Sequence, residues 1–260
     1  MQVKFFKYQG TGNDFVMLDN RDGRYDALSL DQIVSLCDRR FGVGADGLIK
    51  INSKTGFDFE VDYYNADGSK SFCGNGARCA VAFADFLGVT QSEVRFLAID
   101  GEHDAVKKGG LVHLKMNDID QVDLLDPDLT IFTGSPHYLR FCQNVRNEDI
   151  YAFGRSVRYS DWYKAEGINV NLIEQNDPKS FKIRTYERGV EDETLSCGTG
   201  VTAAAAAMAI ENQLFGEYCF KAETMGGQLE VCLDHFESNK FRNVWLIGPA
   251  VQVFEGVYKW

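Results

Sequence analysis

The stretch Ser196-Cys197-Gly198-Thr199-Gly200 leads directly into Val201-Thr202 and five consecutive alanines, so a cysteine stands at a glycine-rich entry to an apolar helix. The first half contains a similar stretch, Phe72-Cys73-Gly74-Asn75-Gly76, followed by an apolar run, and the two cysteines are 124 residues apart. Thr11-Gly12-Asn13-Asp14 likewise corresponds to Thr133-Gly134-Ser135-Pro136. Because similarity at a fixed spacing marks a repeated structural unit, we interpret the chain as two diverged copies of a unit of roughly 120 residues.

The composition is that of an ordinary globular enzyme with an acidic surface. The 260 residues include 27 basic and 38 acidic side chains, which give a formal net charge of −11. A field of that sign repels nucleic acids and anionic membrane surfaces. We therefore expect neither as a partner, and an anionic substrate must be bound by local hydrogen-bond donors.

Two features bear on the cellular compartment. The longest apolar run, near residues 203–210, is about half the length that a membrane span requires, and residues 1–8 alternate like a strand rather than forming a signal peptide. The seven cysteines are odd in number and scattered along the chain. In a chain without an export signal, this usage predicts free thiols in a reducing cytoplasm.

Hydrophobic periodicity predicts two sheet-rich units, each built around one helix. Strands are expected at residues 3–8 and 57–63, and a helix at 31–40 with Ser29 as its cap. The helices that follow the two cysteines are apolar on every face, so they must be enclosed by other elements. The acidic segment 118–128 marks a boundary between the halves.

The segment Gly42-Val43-Gly44-Ala45-Asp46-Gly47 matches the three-glycine pattern of dinucleotide-binding proteins. That pattern requires a strand before it and a helix after it, so that the phosphate meets the amino terminus of the helix. Here a predicted helix precedes the glycines and the strand-like residues 48–51 follow them. The order is reversed, and nucleotide binding is not expected.

The positions of Cys73 and Cys197 predict acid–base chemistry. A helix amino terminus has unpaired N–H groups and a partial positive charge, so it binds a carboxylate and lowers the pKa of a nearby thiol. Two such termini that face each other would hold one sulfur on each side of an α-carbon. A thiolate would remove the α-proton while a thiol protonates the opposite face, which inverts the stereocentre without a metal or cofactor.

Other roles for the cysteines remain open. A single Cys-Gly-x-Gly before a helix is more often structural, since a free cysteine behaves as a small buried hydrophobic residue. A disulfide between Cys73 and Cys197 is geometrically possible, although a reducing compartment disfavours it. Cys73 and Cys79 lack the close pairing of zinc ligands and no histidine cluster completes a site, so no metal is expected.

His137, Glu187 and Arg188 are the other candidate site residues. His137 falls within the duplicated segment and could exchange a proton with a thiol, or equally could be a strand-end histidine bonded to backbone. Glu187-Arg188 pairs a carboxylate with a guanidinium, which suits an amino-acid substrate with an ammonium and a carboxylate. A surface ion pair is the alternative.

Taken together, these motifs resemble those of the diaminopimelate epimerases, a pyridoxal-independent family of lysine and cell-wall precursor synthesis. The resemblance covers essentially the whole chain. The segments that carry it are Gly12-Asn13-Asp14-Phe15, Asn65, Cys73-Gly74-Asn75-Gly76, Pro136-His137, Asn169-Val170-Asn171, Tyr186-Glu187-Arg188-Gly189 and Cys197-Gly198-Thr199-Gly200.

The resemblance implies an α+β fold of two pseudo-symmetric domains, each a small, mostly antiparallel β-barrel around a central apolar helix. The carboxy-terminal strand would return to the first domain, which would comprise residues 1–117 and 251–260, with 118–250 forming the second. It further implies a cytoplasmic homodimer that needs no cofactor.

The resemblance also assigns roles to individual residues. Cys73 and Cys197 would be the acid and base that interconvert LL- and meso-diaminopimelate, and His137 and Glu187 would adjust their proton affinities. The substrate's ammonium groups and distal carboxylate would be held by Asn13, Asn65, Asn169, Glu187 and Arg188. Its reacting carboxylate would be held by Gly74, Asn75, Gly198 and Thr199.

Two departures from the family pattern concern substrate contacts. This chain has Gly47 where many members have glutamine, and Ser135 where many have asparagine. At least two contacts must then be shortened, supplied through water or made elsewhere. Proline or hydroxyproline racemases, a phenazine-biosynthesis-like isomerase and a non-catalytic amino-acid-binding module remain as alternatives. The charged Glu187-Arg188 pair argues against a proline or hydroxyproline racemase. The presence of both cysteines argues against the phenazine-biosynthesis-like isomerase. Loss of function on replacing either cysteine would argue against a binding module.

Overall fold

The computed structural model describes residues 2–90, 92–237 and 239–260. These residues divide into two compact units. Unit 1 comprises Met1–Leu114 and Gly248–Trp260, and unit 2 comprises Lys115–Ile247. The sequence predicts domain boundaries after residues 117 and 250, each three residues beyond the division between the two units, and those domain limits stay a prediction.

Unit 1 is a mixed sheet around one helix. Its elements are β1 (Gln2–Gly10), β2 (Asn13–Asp19), α1 (Leu30–Cys37), β3 (Gly47–Asn52), β4 (Phe59–Asn65), α2 (Gly74–Phe86), β5 (Glu93–Ala98), β6 (Gly101–Lys108), β7 (Leu111–Lys115) and the carboxy-terminal β17 (Val251–Lys259). β17 pairs with β1, and the ladder continues from β1 through β2, β3, β4, β5 and β6 to β7. The β2–β3 and β4–β5 pairs are parallel and the others are antiparallel.

Unit 2 repeats this plan. Its elements are β8 (Val122–Leu124), β9 (Leu129–Phe132), β10 (Pro136–Phe141), α3 (Ile150–Arg158), β11 (Asn169–Asp177), β12 (Ser180–Glu187), β13 (Asp192–Thr194), α4 (Gly198–Glu211), β14 (Gly216–Thr224), β15 (Gly227–Glu237) and β16 (Lys240–Gly248). The ladder runs β8, β9, β10, β11, β12, β14, β15, β16, with β13 added beside β12. The parallel pairs β10–β11 and β12–β14 correspond to β2–β3 and β4–β5 of unit 1. The predicted duplication and mostly antiparallel α+β fold are confirmed.

The two central helices are buried because their residues are small and apolar. In α4, all residues from Val201 to Ala209 are buried, and the helix packs against β9, β10, β11, β12, β14 and β15. In α2, the buried stretch runs from Gly74 to Val81, and the helix packs against β1, β2, β3, β4, β6 and β17. Alanine and glycine let strands approach the helix axis from several sides, so each helix end is held rigidly by the surrounding sheet.

Several local predictions are also confirmed. Ser29 caps α1 with a reciprocal capping box to Gln32. The segment between α1 and β3 contains Gly42 and Gly44, so a helix precedes these glycines and a strand follows them. This order supports the exclusion of a dinucleotide fingerprint.

One helix, α3, was not predicted from the sequence. The sequence nevertheless contains two helix signals. Asp149 is the N-cap and accepts a hydrogen bond from Ala152 N at 2.9 Å, and the apolar residues Ile150, Phe153 and Val157 recur at helical spacing. Ile150 is buried in a small core of unit 2 to which Phe153 and Val157 contribute.

The prediction that all cysteines are free thiols is wrong. Cys219 on β14 and Cys232 on β15 occupy directly opposed positions, with Cα atoms 4.0 Å apart, and form a disulfide. Adjacent antiparallel strands brought these two residues together, and the sequence separation of 13 did not reveal that proximity. Cys37, Cys79 and Cys142 are free thiols.

Within residues 2–90, 92–237 and 239–260, no helix is long and apolar enough to cross a membrane. The apolar run near residues 203–210 lies in α4, which is enclosed by the sheet of unit 2.

Candidate active site

Cys73 of unit 1 is the amino-terminal cap of α2. Its backbone is extended, and its sulfur accepts a hydrogen bond from Gly76 N at 3.5 Å. The side chain is half-buried, whereas Gly74 and Asn75 behind it are buried. Cys73 thus lies where the first N–H groups of the helix and its partial positive charge favour an anion.

A short chain of amide groups surrounds the Cys73 sulfur. The thiol lies 3.4 Å from Asn13 Oδ1, which also accepts a hydrogen bond from Asn75 Nδ2 at 3.3 Å. Asn13 Nδ2 donates to Asp46 Oδ2 at 2.6 Å. The structure therefore brings the sequence-predicted residues Asn13, Asn75 and Cys73 together and adds Asp46, which the sequence analysis did not select.

Arg78, one turn into α2, is also absent from the predicted site. Its guanidinium is fully buried and donates from Nη2 to Asn75 Oδ1 at 2.9 Å and to Thr11 Oγ1 at 3.2 Å. Burial lowers the pKa of this group, while the nearby thiols Cys79 and Cys73 oppose that shift. Its position in the Gly-Ala-Arg-Cys segment was a visible signal, because an arginine in an otherwise apolar helix needs a specific partner.

Asn65 lies at the end of β4, within unit 1. Its Oδ1 accepts a hydrogen bond from the Tyr63 hydroxyl at 2.8 Å, and its Nδ2 donates to Ser69 Oγ at 2.9 Å and Ser71 Oγ at 3.2 Å. The same tyrosine explains Gly47. A Cβ at Gly47 would lie 2.4 Å from Tyr63 Cε2 and 2.5 Å from the Tyr64 carbonyl oxygen, so the position has no room for a side chain.

Cys197 of unit 2 occupies the equivalent position at the start of α4. It is the cap residue, it has 8% exposed surface, and its sulfur lies 3.4 Å from Thr199 Oγ1. Thr199 Oγ1 in turn lies 3.0 Å from His137 Nε2. A Cβ at Gly200 would lie 2.6 Å from Asn171 Oδ1, so the glycine of Cys-Gly-Thr-Gly permits this close packing.

His137 is a fully buried, neutral histidine. Burial and the positive charge of Arg188 lower its pKa to about 3, against a hydrogen bond with Asn171 that raises it. Asn171 Nδ2 lies 3.2 Å from His137 Nδ1 and donates to the Tyr138 carbonyl at 3.0 Å. Thr185 Oγ1 donates to Asn171 Oδ1 at 2.9 Å. His137 therefore contacts the site through its hydrogen bond to Thr199.

Asn169 connects Ser135 to Arg188. Its Nδ2 donates to Ser135 Oγ at 2.9 Å and to the Pro136 carbonyl at 3.1 Å, and its Oδ1 accepts from the backbone N–H of Arg188 at 2.9 Å. The Arg188 guanidinium is exposed and donates to the Glu166 carbonyl at 3.1 Å and to Ser135 Oγ at 3.4 Å. Ser135 thus anchors both the amide and the guanidinium.

Glu187 is half-buried at the end of β12. Its Oε2 accepts a hydrogen bond from Thr194 Oγ1 at 2.9 Å. The neighbouring Arg188 guanidinium contacts Ser135 and the Glu166 carbonyl.

Among the described residues, one group has the ligand types and spacing for a metal ion, namely Cys219, Glu230 and Cys232. Both sulfurs of that group are joined in the disulfide, so they offer no thiolate in this form. Neither of the cysteines that cap α2 and α4 belongs to it.

Solved structures share this fold along the whole chain. A phenazine biosynthesis protein from Bacillus anthracis superposes with a TM-score of 0.76 at 14% identity and 100% coverage of both chains. A hydroxyproline epimerase from Agrobacterium vitis, with bound trans-4-hydroxy-L-proline, superposes with a TM-score of 0.69 at 13% identity, covering 98% of this chain and 92% of that one. The chain therefore has the fold that these two proteins share.

Sequence comparison identifies the family. The sequence model of diaminopimelate epimerase matches residues 5–123 and 129–253. A diaminopimelate epimerase of Flavobacterium psychrophilum is 46% identical over 97% of this chain and 99% of its own length, and one of Chlorobaculum tepidum is 36% identical over 95% and 98%. The chain belongs to the diaminopimelate epimerase family.

Proposed function

We propose that Cys73 and Cys197 are the two acid–base residues with which this chain interconverts LL- and meso-diaminopimelate in lysine biosynthesis. The observation that carries the proposal is their equivalence. Each is the cap residue of the buried central helix in its own unit, at matching places in a duplicated fold. A helix amino terminus both stabilises a thiolate and binds a carboxylate, so each cap combines a proton carrier with a substrate anchor.

The reaction follows from these two groups. One sulfur, as thiolate, removes the α-proton of the substrate, and the other, as thiol, donates its proton to the opposite face of the same carbon. The N–H groups of Gly74, Asn75, Gly198 and Thr199 lie in the first turns of α2 and α4 and would stabilise the negative charge that develops on the reacting carboxylate. The chemistry uses no cofactor or metal.

The remaining site residues would recognise the rest of the substrate. Asn13 and Asn65 present amides in unit 1, and Glu187 and Arg188 offer a carboxylate and an exposed guanidinium in unit 2. Asn169 is proposed to contribute by holding the backbone of Arg188. Two charged groups in addition to the reacting centre suit a substrate with a second ammonium and carboxylate. Proline and hydroxyproline lack that distal end.

Reaction in D2O tests the assignment. Reduced, full-length protein incubated with LL-diaminopimelate should form meso product that carries deuterium at the inverted α-carbon. Cys73→Ala and Cys197→Ala should each abolish that product, with a loss of at least about 10²–10⁴-fold, the usual contribution of a general acid or base. Cys142→Ala is the matched control, because Cys142 is a half-buried free thiol outside both helix caps.

Two outcomes would reject the proposal. Inversion that survives in either alanine variant would remove that cysteine from the reaction. Inversion of proline or hydroxyproline, without inversion of LL-diaminopimelate by the same folded and reduced sample, would replace the substrate assignment.

We also propose that the protein is a cytoplasmic homodimer. Exposed apolar residues support the dimer: Val253, Phe254 and Val257 on β17 expose between 47% and 57% of their surface. A row of apolar side chains at a strand surface is typical of a protein–protein contact. Sedimentation equilibrium of the wild type and of Phe254→Lys tests it, since the charged variant should shift the mass toward the monomer. A wild-type protein that is monomeric at micromolar concentration would disprove the dimer.

A further inference from the structure

A second pair of cysteines lies on the long hairpin of unit 2, away from the two helix caps. β14 and β15 pair along all nine residues of β14, and Cys219 lies directly opposite Cys232 in this ladder. Their Cα atoms are 4.0 Å apart, and their sulfurs are joined in a disulfide in this structure. Reduction of that bond leaves two closely spaced thiols, and the thiolate is a metal ligand.

Glu230 supplies a third ligand beside this pair. It lies two residues before Cys232 on β15, and side chains two apart on a strand share a face, as do residues directly opposite on paired strands. Cys232 Sγ lies 3.6 Å from Glu230 Oε1, and one ligand atom from each of the three residues lies within 4.8 Å of the others. In the part of the chain that the structure describes, no other trio of histidine, cysteine or carboxylate ligands lies so close together.

The backbone that carries the three ligands is fixed by the core of unit 2. The residues that alternate with the ligands face inward, and Phe220, Val231 and Leu233 among them are buried. β12 pairs with β14 and β16 pairs with β15, so the hairpin is flanked by strands on both sides. Ligands carried by such a sheet need little reorganisation to hold a cation, which lowers the entropic cost of binding.

Solvent reaches the three ligands from the outer face of the hairpin. Cys219 is exposed, and Glu230 and Cys232 are half-buried. A cation can therefore enter from solvent, and water can occupy the fourth coordination position that three protein ligands leave open. Lys221 is the cross-strand neighbour of Glu230, so its exposed ammonium is the charge with which a metal ion would compete for the carboxylate.

The ligand types select the class of metal ion. Two thiolates and one carboxylate favour Zn²⁺ and similar thiophilic cations over Mg²⁺ and Ca²⁺, which prefer oxygen ligands. With Zn–S bonds of about 2.3 Å, two sulfurs on a tetrahedral ion are about 3.8 Å apart. The Cβ atoms of a disulfide pair are already separated by about that distance. Rotation of the two side chains can therefore place the sulfurs around an ion without movement of the strands.

We propose that the reduced form of this protein binds one thiophilic divalent cation, such as Zn²⁺, through the thiolates of Cys219 and Cys232 and the carboxylate of Glu230. The disulfide and the metal ion are then alternative links between β14 and β15. The site takes no part in the epimerase reaction, and its test does not depend on that reaction.

The two forms interconvert by a two-electron reaction. A dithiol reductant gives two electrons and two protons to the disulfide, so the S–S bond breaks, both cysteines become thiols and the reductant closes its own disulfide. Binding of the cation then releases the two thiol protons to solvent. A disulfide oxidant reverses the reaction: it accepts two electrons, its sulfurs leave as thiols, the bond between Cys219 and Cys232 re-forms and the cation is released.

Titration with Co²⁺ tests the proposal. Full-length protein is reduced with a phosphine, which has no thiol to bind metal, freed of the reductant and titrated without oxygen. The wild type should bind one cation more than the double variant Cys219→Ser with Cys232→Ser, and that difference should carry thiolate-to-Co²⁺ charge-transfer absorption that added Zn²⁺ removes. Subtraction of the double variant accounts for metal bound by other thiols. Equal stoichiometry in the two reduced proteins would overturn the proposal.

Glu230→Gln tests the third ligand. The variant should keep the two thiolates but bind Zn²⁺ at least about tenfold more weakly than the wild type, since even outer partners of metal ligands affect affinity by that factor. Glu217→Gln is the matched control, because Glu217 is an exposed carboxylate on β14 outside the group of three. An unchanged affinity in folded Glu230→Gln would remove Glu230 from the site.

Thermal unfolding gives a second measurement. Zn²⁺ should raise the unfolding midpoint of the reduced wild type, because a ligand that binds the folded state stabilises it. The wild type with its disulfide intact should lack this increase, and it replaces the double serine variant as the comparison if that variant does not fold. An equal effect of Zn²⁺ on the reduced and the disulfide forms would place the bound cation elsewhere and reject the proposal.

Discussion

His137 Nε2 lies 3.0 Å from Thr199 Oγ1, and the imidazole has no exposed surface. A cation at this position would be buried away from water and would face the positive charge of Arg188. The ring is therefore neutral over the physiological range. Its contribution to the site is an oriented hydrogen bond, and it does not store a charge there.

We expect His137 to resist protonation far below its ordinary range. Its pKa is lowered from 6.5 to about 3, mainly by burial. The unfolded chain therefore binds a proton that the folded chain does not, and stability is fully present above pH 6.5 and is lost as the pH falls from 6.5 toward 3. NMR titration of the imidazole nitrogens should show no protonation of His137 between pH 5 and 8.

The variant His137→Asn serves as the control for this prediction. Its unfolding free energy should fall less steeply between pH 6.5 and 4 than that of the wild type, because the titrating group is absent. Protonation of the His137 ring near pH 6.5 in the folded protein would contradict the prediction.

Asp14 is an acidic group whose ionised form should stabilise the folded protein. Burial would raise its pKa, but hydrogen bonds and charges from Arg39 and Lys7 lower it from 3.8 to about 2. The Lys7 Nζ–Asp14 Oδ2 distance is 2.6 Å. A carboxyl with a lowered pKa stabilises the fold above its unfolded pKa and loses that contribution as the pH falls through the folded value, a difference of up to about 2 kcal/mol.

Asp14→Asn should therefore reduce the unfolding free energy at pH 7 and have a smaller effect near pH 2. Denaturant unfolding at both values measures the difference. Asp22→Asn is the matched control, since Asp22 is an exposed carboxylate on a neighbouring loop. An equal loss for Asp14→Asn at both pH values would show that the ion pairs with Lys7 and Arg39 do not set its stability contribution.

Gly47 should not tolerate a side chain. A Cβ there would lie 2.4 Å from the ring of Tyr63 and 2.5 Å from the backbone oxygen of Tyr64, and a backbone atom cannot move aside as a flexible side chain does. We expect Gly47→Ala to lower the unfolding free energy by about 1–3 kcal/mol or more, as for other overpacked sites. The mutation would also disturb the hydrogen bond from Tyr63 to Asn65 and so reduce turnover.

Gly56→Ala is the comparison for Gly47→Ala. It adds a Cβ that meets nothing within 4 Å, so its cost is limited to the backbone strain of a positive φ. Thermal unfolding of both variants measures the difference. Equal loss of stability in the two variants would contradict the steric explanation.

The disulfide between Cys219 and Cys232 should stabilise unit 2 without serving the reaction. It joins two cysteines that are 13 residues apart in sequence. A disulfide that closes a loop of that size typically adds about 2–4 kcal/mol to the free energy of unfolding, because it restricts the unfolded chain. Adding a reductant, or making Cys219→Ser with Cys232→Ser, should lower the unfolding free energy by that amount.

Epimerase activity measured below the unfolding transition should stay unchanged in the double serine variant. Reductant should then have no further effect on its stability. Loss of inversion in the folded double variant would mean that this pair belongs to the active site after all.

The sequence alone determined the duplication. Cys-Gly-x-Gly stands before an apolar helix in both halves, so the two helix-capping cysteines and the two buried helices follow from local composition, periodicity and the repeat. The cap at Ser29 and the exclusion of a dinucleotide loop follow in the same way, because each depends on residues adjacent in the chain.

The tertiary structure decided what lies next to those groups. Asp46 and Asn13 are 33 residues apart, as are Asn171 and Tyr138, and parallel strand pairs bring each couple together. The disulfide and the space filled by Tyr63 beside Gly47 depend in the same way on strand register. A contact between distant residues is set by how strands pair, and a sequence pattern records only which residues are available to make it.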